Sequence, residues 1–219
     1  MHYQEFLDKM ENKTYPTKES QLQAVRQRGD DIKHIRNPDK EVQMAAVLSD
    51  HLAITHIHNP DKEVQMVTVT RNGYMIRYID NADRDVQYEA VKRNPMAIEY
   101  VNNPTKKMQM LAVTGNYLAI NKIKTPSIKV QLEALRNCPS ADVCILLSTF
   151  NSHVNKEVQI AVIKKNSHAI DYIFQPCNEA ILEAIKQGNN CFERIKNPDE
   201  ITVKKIKKIM LSKKNEKHY

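Results

Sequence analysis

The sequence predicts an all-α protein: an α-solenoid of about nine two-helix repeats of 22 residues, with a capping helix at each end. Three observations predict it. The chain matches itself at a shift of 22 residues, most plainly where Asn37-Pro38-Asp39-Lys40-Glu41-Val42-Gln43-Met44 returns as Asn59-Pro60-Asp61-Lys62-Glu63-Val64-Gln65-Met66. Apolar residues inside each repeat fall at helical spacings, as in Val42, Met44, Ala46 and Val47, then Ala53, Ile54 and Ile57. Proline and asparagine punctuate the repeats at fixed places, while the chain holds only four glycines and no alternating strand pattern.

Residues 1–14 form the expected N-terminal cap, with Phe6, Leu7 and Met10 covering the first repeat. The array follows over 15–196, with looser copies starting at Tyr15, Asn81, Asn103, Thr125, His153 and Gln175. Numbered from the residue before the proline (Asn37 is position 1), each repeat predicts helix A over positions 3–13 and helix B over about 16–21. Neither helix is long enough to stand alone, so each needs a neighbour for its apolar stripe. Asn at position 1 reads as a cap, with Pro at position 2 as the first helical residue. Asn72, Asn94, Asn116 and Asn166 at position 14 suit a left-handed helix end, and Gly29 and Gly73 a sharp turn into helix B.

The repeat from Thr125 is irregular, spanning 125–152 with six extra residues. Its Val143, Leu146, Leu147 and Phe150 keep helical spacing, so an extended helix B is expected there. Residues 197–219 lose the register and read as a basic C-terminal cap, with Ile206, Ile209 and Met210 among lysines.

Charge and cysteine content narrow the function classes. Of the net charge of +7, five units lie from Lys196 onward, so the body of the array is nearly balanced. No apolar run approaches the ~20 residues of a membrane span, and no membrane partner is expected. The N-terminus carries Glu5, Asp8 and Glu11 in place of a basic, apolar secretory signal, so a cytoplasmic protein is expected. Cys138, Cys144, Cys177 and Cys191 lack metal-ligand spacing and read as reduced thiols; no metal and no cofactor is expected.

The phrase Pro-acid-Glu-Val-Gln-apolar-x-Ala-Val, then Asn-Gly-x-x-Ile-x-x-Ile, best seen over 61–79 and 156–173, resembles short helical repeats of bacteriophage and bacterial proteins, among them a tandem-repeat family known only as a domain of unknown function. The resemblance covers about residues 15–196, and its motif consists of packing and capping residues. It implies a helical solenoid of phage or bacterial origin. It also implies a binder of host proteins, defence components included.

Residues at one position of a solenoid stack into a ladder, and four ladders are not apolar. Position 7 holds Gln21, Gln43, Gln65, Gln87, Gln109, Gln131 and Gln159, expected to be half buried against backbone groups of the adjoining turn or the next glutamine. Position 4 is basic (Lys18, Lys40, Lys62, Arg84, Lys106, Lys156) and position 5 acidic (Glu19, Glu41, Glu63, Asp85, Glu157, Glu179), which predicts ion pairs between neighbours and no phosphate track. Position 20 is aromatic or basic: His34, His56, Tyr78, Tyr100, Lys122, Tyr172 and Arg194. With Arg77 and Lys33 at position 19 and Arg93 on a basic rim shared with Arg71, Lys92, Arg136 and Lys164, this column is the candidate partner-binding site. His34, His56 and His58 bring no carboxylate or cysteine at metal spacing, and no phosphate loop or nucleophile turn occurs, so no catalytic residue is assigned.

The sequence therefore points to a non-enzymatic protein-binding solenoid, an inhibitor that sequesters its partner. The alternative is nucleic-acid or nucleotide binding by the same aromatic and basic column. A third reading is self-association through Val143 to Phe150.

Overall fold

The computed structural model describes residues 15–150, 154–195 and 200–216, with side chains up to 211; the N-terminal cap of Phe6, Leu7 and Met10 and the repeat starts at His153 and Asn197 lie outside them. The described residues form helices and no strand, successive helices packing on their neighbours, as an all-α repeat solenoid requires. The chain divides into two compact bodies, Met1–Gly115 and Asn116–Tyr219.

In the first body, five ten-residue helices, α1 (Lys18–Gln27), α2 (Lys40–Ser49), α3 (Lys62–Arg71), α4 (Arg84–Arg93) and α5 (Lys106–Gly115), alternate with six-residue 3-10 helices at Gly29–His34, His51–His56, Gly73–Tyr78 and Pro95–Tyr100. Helix A thus covers positions 4–13. Helix B is a 3-10 helix over positions 15–20, about one residue earlier than expected. Asn72 and Asn94 are extended in backbone, and their side-chain oxygens accept the amide two residues on, from Tyr74 and Met96. They cap the start of helix B and do not take the left-handed conformation expected of them.

The left-handed residues are instead at position 1. Asn37, Asn59, Asn81 and Asn103 have φ of 51, 51, 53 and 50°. Asparagine tolerates that conformation better than other side chains, which turns the chain from helix B into the next helix A. The N-cap falls two residues later than expected, on Asp39, whose carboxylate accepts the Val42 amide at 3.0 Å, and on Asp61, which accepts from Glu63 at 3.0 Å. Gly29 and Gly73 serve close approach, not turn geometry. A Cβ on Gly29 would sit 2.5 Å from the Ala46 carbonyl oxygen, and one on Gly73 would collide with that of Ala90.

The core is the stack of positions 6, 10, 11, 17, 18 and 21: Val42, Ala46, Val47, Ala53, Ile54 and Ile57 are all buried, as are Val64, Val69, Ile76 and Ile79 in the next repeat. Each fully buried Val or Ile contributes roughly 1.5–3 kcal/mol against an exposed chain, so the stack is the main source of stability. Position 10 is small, and its one hydroxyl in this body, that of Thr68, donates to Val64 O at 2.8 Å.

The second body opens with a 3-10 helix, Tyr117–Lys122, and continues with α6 (Ile128–Asn137), α7 (Val143–Thr149), α8 (Lys156–Lys165), α9 (Asn178–Lys186) and α10 (Glu200–Glu216). The six extra residues form a separate helix, α7, after a short 3-10 turn at Ser140–Asp142, in place of one extended helix B. Val143, Leu146, Leu147 and Phe150 point inward and are buried, which leaves Ile145 as the exposed apolar residue of α7. Tyr117 donates its hydroxyl to Asp142 Oδ2 at 2.5 Å, tying the insert to the preceding repeat, and the carboxylate pushes the phenol up to about 12. Pro139 and Asp142 supply the turn where the regular repeats carry an Asn cap. Helix α10 packs on α9 through the buried Thr202 and the half-buried Val203, Ile206 and Ile209.

Candidate partner-binding site

Most of the polar ladders are taken up by the fold itself. Each position-7 glutamine donates its Nε2 to a carbonyl at the start of its own repeat: Gln43 to Pro38 at 2.9 Å, Gln65 to Pro60 at 2.8 Å, Gln87 to Ala82 at 2.7 Å, Gln109 to Pro104 and Gln131 to Pro126 at 3.1 Å, and Gln159 to Val154 at 2.8 Å. Gln21 bonds Tyr15 O at 3.0 Å. Gln43 and Gln159 also accept from the next repeat, from the amides of Asp61 (3.2 Å) and Cys177 (2.7 Å). The side chain thus ties the turn before its helix to the turn of its neighbour, which a shorter amide could not span.

The position-4 cations are neutralised across the repeat boundary. Lys18 lies 2.6 Å from Glu41 and 3.0 Å from Asp39, Lys40 2.7 Å from Glu63, Lys62 2.8 Å from Asp85, and Lys156 2.5 Å from Glu179. The pairing pushes these four ammonium groups up from their ordinary value. For Arg84 the next repeat holds Thr105 and Lys107 in place of acids, and the guanidinium turns to Gln87 Oε1 at 3.1 Å and to the carbonyls of Asn102 and Asn103, both at 3.2 Å.

Part of the basic rim is also structural. Arg71 donates to the carbonyls of Val47 and Leu48, and Lys165, at the same position but outside the predicted rim, to those of Leu135 (2.5 Å) and Arg136 (3.0 Å). Position 13 thus closes the open end of the preceding helix A, a role invisible when Arg71 is counted only as charge. Arg93 is turned onto Glu89 of its own helix at 2.7 Å.

The position-20 column separates into different environments. His34 is half buried, and His56 Nε2 lies 3.0 Å from Asp30 Oδ1, whose other oxygen holds Lys33 at 2.6 Å. Lys33, and then His56, keep the Asp30 carboxyl below the usual range. Lys122 is half buried. Arg194 donates to the carbonyls of Ile170 (2.8 Å) and Ile173 (3.2 Å) and to Asp171, capping the preceding turn. Tyr172 is 68% exposed.

Three of the predicted residues come together, joined by one that the column did not contain. Tyr74 and Tyr100 meet edge to face with ring centroids 5.2 Å apart, and their hydroxyls are 2.9 Å apart. The guanidinium of Arg77 stands over Tyr78 at 5.1 Å and over Tyr74 and Tyr100 at 5.5 Å. The hydroxyl pair, then burial, raises the Tyr100 phenol. Tyr74 sits at position 16, near the start of helix B, and meets position 20 of the next repeat diagonally, a contact that ladders of equal positions do not show. Beside the cluster, a cavity of about 680 Å³ is lined by Arg77, Tyr100, Arg84, Gln87 and Asn103.

A second concave surface, counted with the core in the sequence, runs over helix A. Met44 and Ala45 are half buried and Leu48 exposed, and they floor a groove of about 780 Å³ edged by the Lys18 and Lys40 ion pairs. Leu22, Met66, Tyr88 and Met110 occupy the same position 8 in the other repeats of this body. The signal was present: position 8 is apolar but lies to one side of the buried 6, 10 and 11 set.

The remaining nucleophile types are poorly placed for chemistry. Burial pushes the thiols of Cys138, Cys177 and Cys191 up, away from the thiolate form at neutral pH. What the Tyr74–Arg77–Tyr78–Tyr100 cluster offers is a stiff apolar surface with hydroxyl and guanidinium donors at its edge, the composition of a recognition anchor.

Residues 61–123 match the model of a family described as a domain of unknown function (DUF4116), a stretch that includes the tyrosine–arginine cluster. No curated protein and no solved structure matches the chain.

Proposed function

We propose that this chain is a non-catalytic binding solenoid that recognises a protein partner, with Tyr74, Arg77, Tyr78 and Tyr100 as the anchor. The observation that carries the reading is the pre-organised cluster: three rings and a guanidinium fixed by mutual contact, with Tyr78 still 42% exposed. Side chains already held in one geometry lose little entropy on binding, and Tyr and Arg dominate measured interface energies. Neutralisation of the Lys18, Lys40 and Lys62 stripe by the next repeat's acids supports a protein partner over a nucleic-acid track, which needs unpaired cations facing phosphates. The resemblance to phage and bacterial repeats makes a host protein, a defence component included, the partner to seek, with sequestration as the mode of action.

The test is quantitative capture from host lysate with the wild-type chain, Tyr78→Ala, Arg77→Ala and the exposed control Lys129→Gln, which lies outside the candidate column and rim. A true partner should fall by roughly 30-fold with either cluster variant, the effect of removing a residue worth about 2 kcal/mol, and be kept by the control. Equal recovery of every captured protein by all four chains would remove the cluster as anchor. A gel shift with single-stranded RNA or DNA at about 150 mM salt, lost with the same two variants, would instead favour the nucleic-acid alternative.

A further inference from the structure

The charge of helix α10 is arranged differently from that of the array. Lysines at position 4 meet carboxylates of the next repeat, yet Lys204, Lys205, Lys207 and Lys208 are all exposed and none pairs with a carboxylate among the described residues. From Lys196 onward the chain carries eight lysines against three acidic side chains. A helix that merely closed a solenoid would show water a polar outer face. This one shows Ile201 at 62% and Leu211 at 63% exposure among those lysines, with Met210 half exposed at the edge. At 1.5 Å and 100° per residue, Ile201 and Leu211 stand about 15 Å apart along the axis on one outward arc, with Lys204 and Lys208 between them. The opposite arc, Thr202, Val203, Ile206 and Ile209, is already occupied by contact with α9.

We infer that the outward face of α10 docks on an anionic phospholipid surface. Lysine ammonium groups at headgroup level are attracted by phosphate and carboxylate charges, and long lysine stems let flanking aliphatic side chains sit deeper. Two aliphatic residues held among four unpaired lysines make the lying-flat arrangement of an interfacial helix. A nucleic-acid backbone would satisfy the lysines but give Ile201 and Leu211 nothing to enter, and α10 has no arginine for base or bidentate phosphate contact. None of the described helices is long and apolar enough to cross a bilayer, and a helix lying flat on the surface needs no such length.

The test is sedimentation of the full chain with phosphatidylcholine vesicles, with and without about 30 mol % phosphatidylserine, at about 100 mM salt. Two variants are compared: Lys204→Gln/Lys205→Gln/Lys207→Gln/Lys208→Gln, and Ile201→Ser/Leu211→Ser, each checked for unchanged helix content by circular dichroism. The wild type should sediment with the serine-containing vesicles and not with phosphatidylcholine alone. The lysine variant should lose roughly fivefold in partitioning for each charge removed, and the aliphatic variant at least about tenfold. Failure of the wild type to sediment with anionic vesicles overturns the inference. So does an aliphatic variant that sediments as well as wild type, and duplex DNA binding lost only with the lysine variant would then reassign the face to a phosphate backbone.

Discussion

Replacing Gln159 by leucine keeps the side-chain volume and removes only the amide, so it isolates what the position-7 ladder contributes. Gln159 is 7% exposed; its Nε2 donates to Val154 O at 2.8 Å and, at longer range, to Gln175 O at 3.4 Å, while its Oε1 accepts from Cys177 N at 2.7 Å. Leucine would strand a carbonyl and an amide in a half-buried turn, and each such loss costs about 1–3 kcal/mol with a net bond worth about 0.5–1.5 kcal/mol. Two strong bonds therefore put the cost at about 2–4 kcal/mol. Gln65 offers the control within the same ladder, because it donates to Pro60 O at 2.8 Å but its Oε1 is buried without a hydrogen-bond partner. Gln65→Leu loses one bond and relieves one orphaned oxygen, so the two effects oppose and the net change should lie within about 1 kcal/mol of zero. Thermal melts followed at 222 nm read the difference at about 2–4 °C per kcal/mol for a chain of this size, a fall of roughly 5–15 °C for Gln159→Leu against little change for Gln65→Leu. Equal shifts for the two variants would show that the amides act through packing alone.

Three other perturbations test separate parts of the repeat. Asn59 has φ of 51°, so Asn59→Gly should be nearly neutral and Asn59→Val should lower stability by about 1–2 kcal/mol in urea denaturation. Gly29→Ala, whose Cβ would stand 2.5 Å from Ala46 O, should cost about 1–3 kcal/mol or more, whereas Gly188→Ala, at φ 99° with open space around it, should cost only about 1 kcal/mol from backbone strain, measured the same way. The Val42 amide and Lys18 hold the Asp39 carboxyl low, Lys62 does so for Asp85 and Lys156 for Glu179. Because these folded-state values lie below the unfolded ones, their stabilisation is present above about pH 4 and lost as pH falls through the depressed values, so the urea midpoint should drop towards pH 2.5 and drop less in about 1 M salt.

The repeat length, the apolar set and the all-α class were legible because they rest on periodicity, which survives any error in a single residue. Val42, Ala46, Val47, Ala53, Ile54 and Ile57 occupy the core where the spacing places them. The caps were misread because asparagine suits both an N-cap and a left-handed turn: at Asn72 the extended backbone makes it a cap, and at Asn37 φ of 51° makes it the turn. Diagonal contact was the second blind spot. A ladder compares one position in successive repeats, so position 16 of one repeat and position 20 of the next, where Tyr74 and Tyr100 meet, fall in separate columns. Charge was the third, since Arg71 and Arg194 look like free cations in a column and are in fact hydrogen-bonded to carbonyls of the preceding repeat.

A stacked repeat satisfies its polar groups with its own neighbours, so a side chain that follows the pattern is the least available to a partner. Lys40 illustrates it: its charge is matched by Glu63 of the next repeat, and removing it would disturb stacking before it disturbed recognition. Availability arises where a repeat breaks the pattern. Thr105 and Lys107 stand where acids would have met Arg84, so its guanidinium folds onto Gln87 Oε1 and the Asn102 and Asn103 carbonyls and becomes a wall of the cavity beside Tyr100. Tyr78 and Tyr100 stand where the two preceding repeats carry His34 and His56, and the pair of breaks places rings and guanidinium groups at one edge. Restoring the pattern is then a sharper test than alanine. Thr105→Asp/Lys107→Glu supplies Arg84 with the carboxylates it lacks while leaving the buried core untouched, at the loss of the Arg84 bond to Gln87 Oε1 and of the Lys107 cation over Tyr88. Stability should hold or rise by the ~0–1 kcal/mol of an exposed pair, while a partner that uses the cavity should bind more weakly.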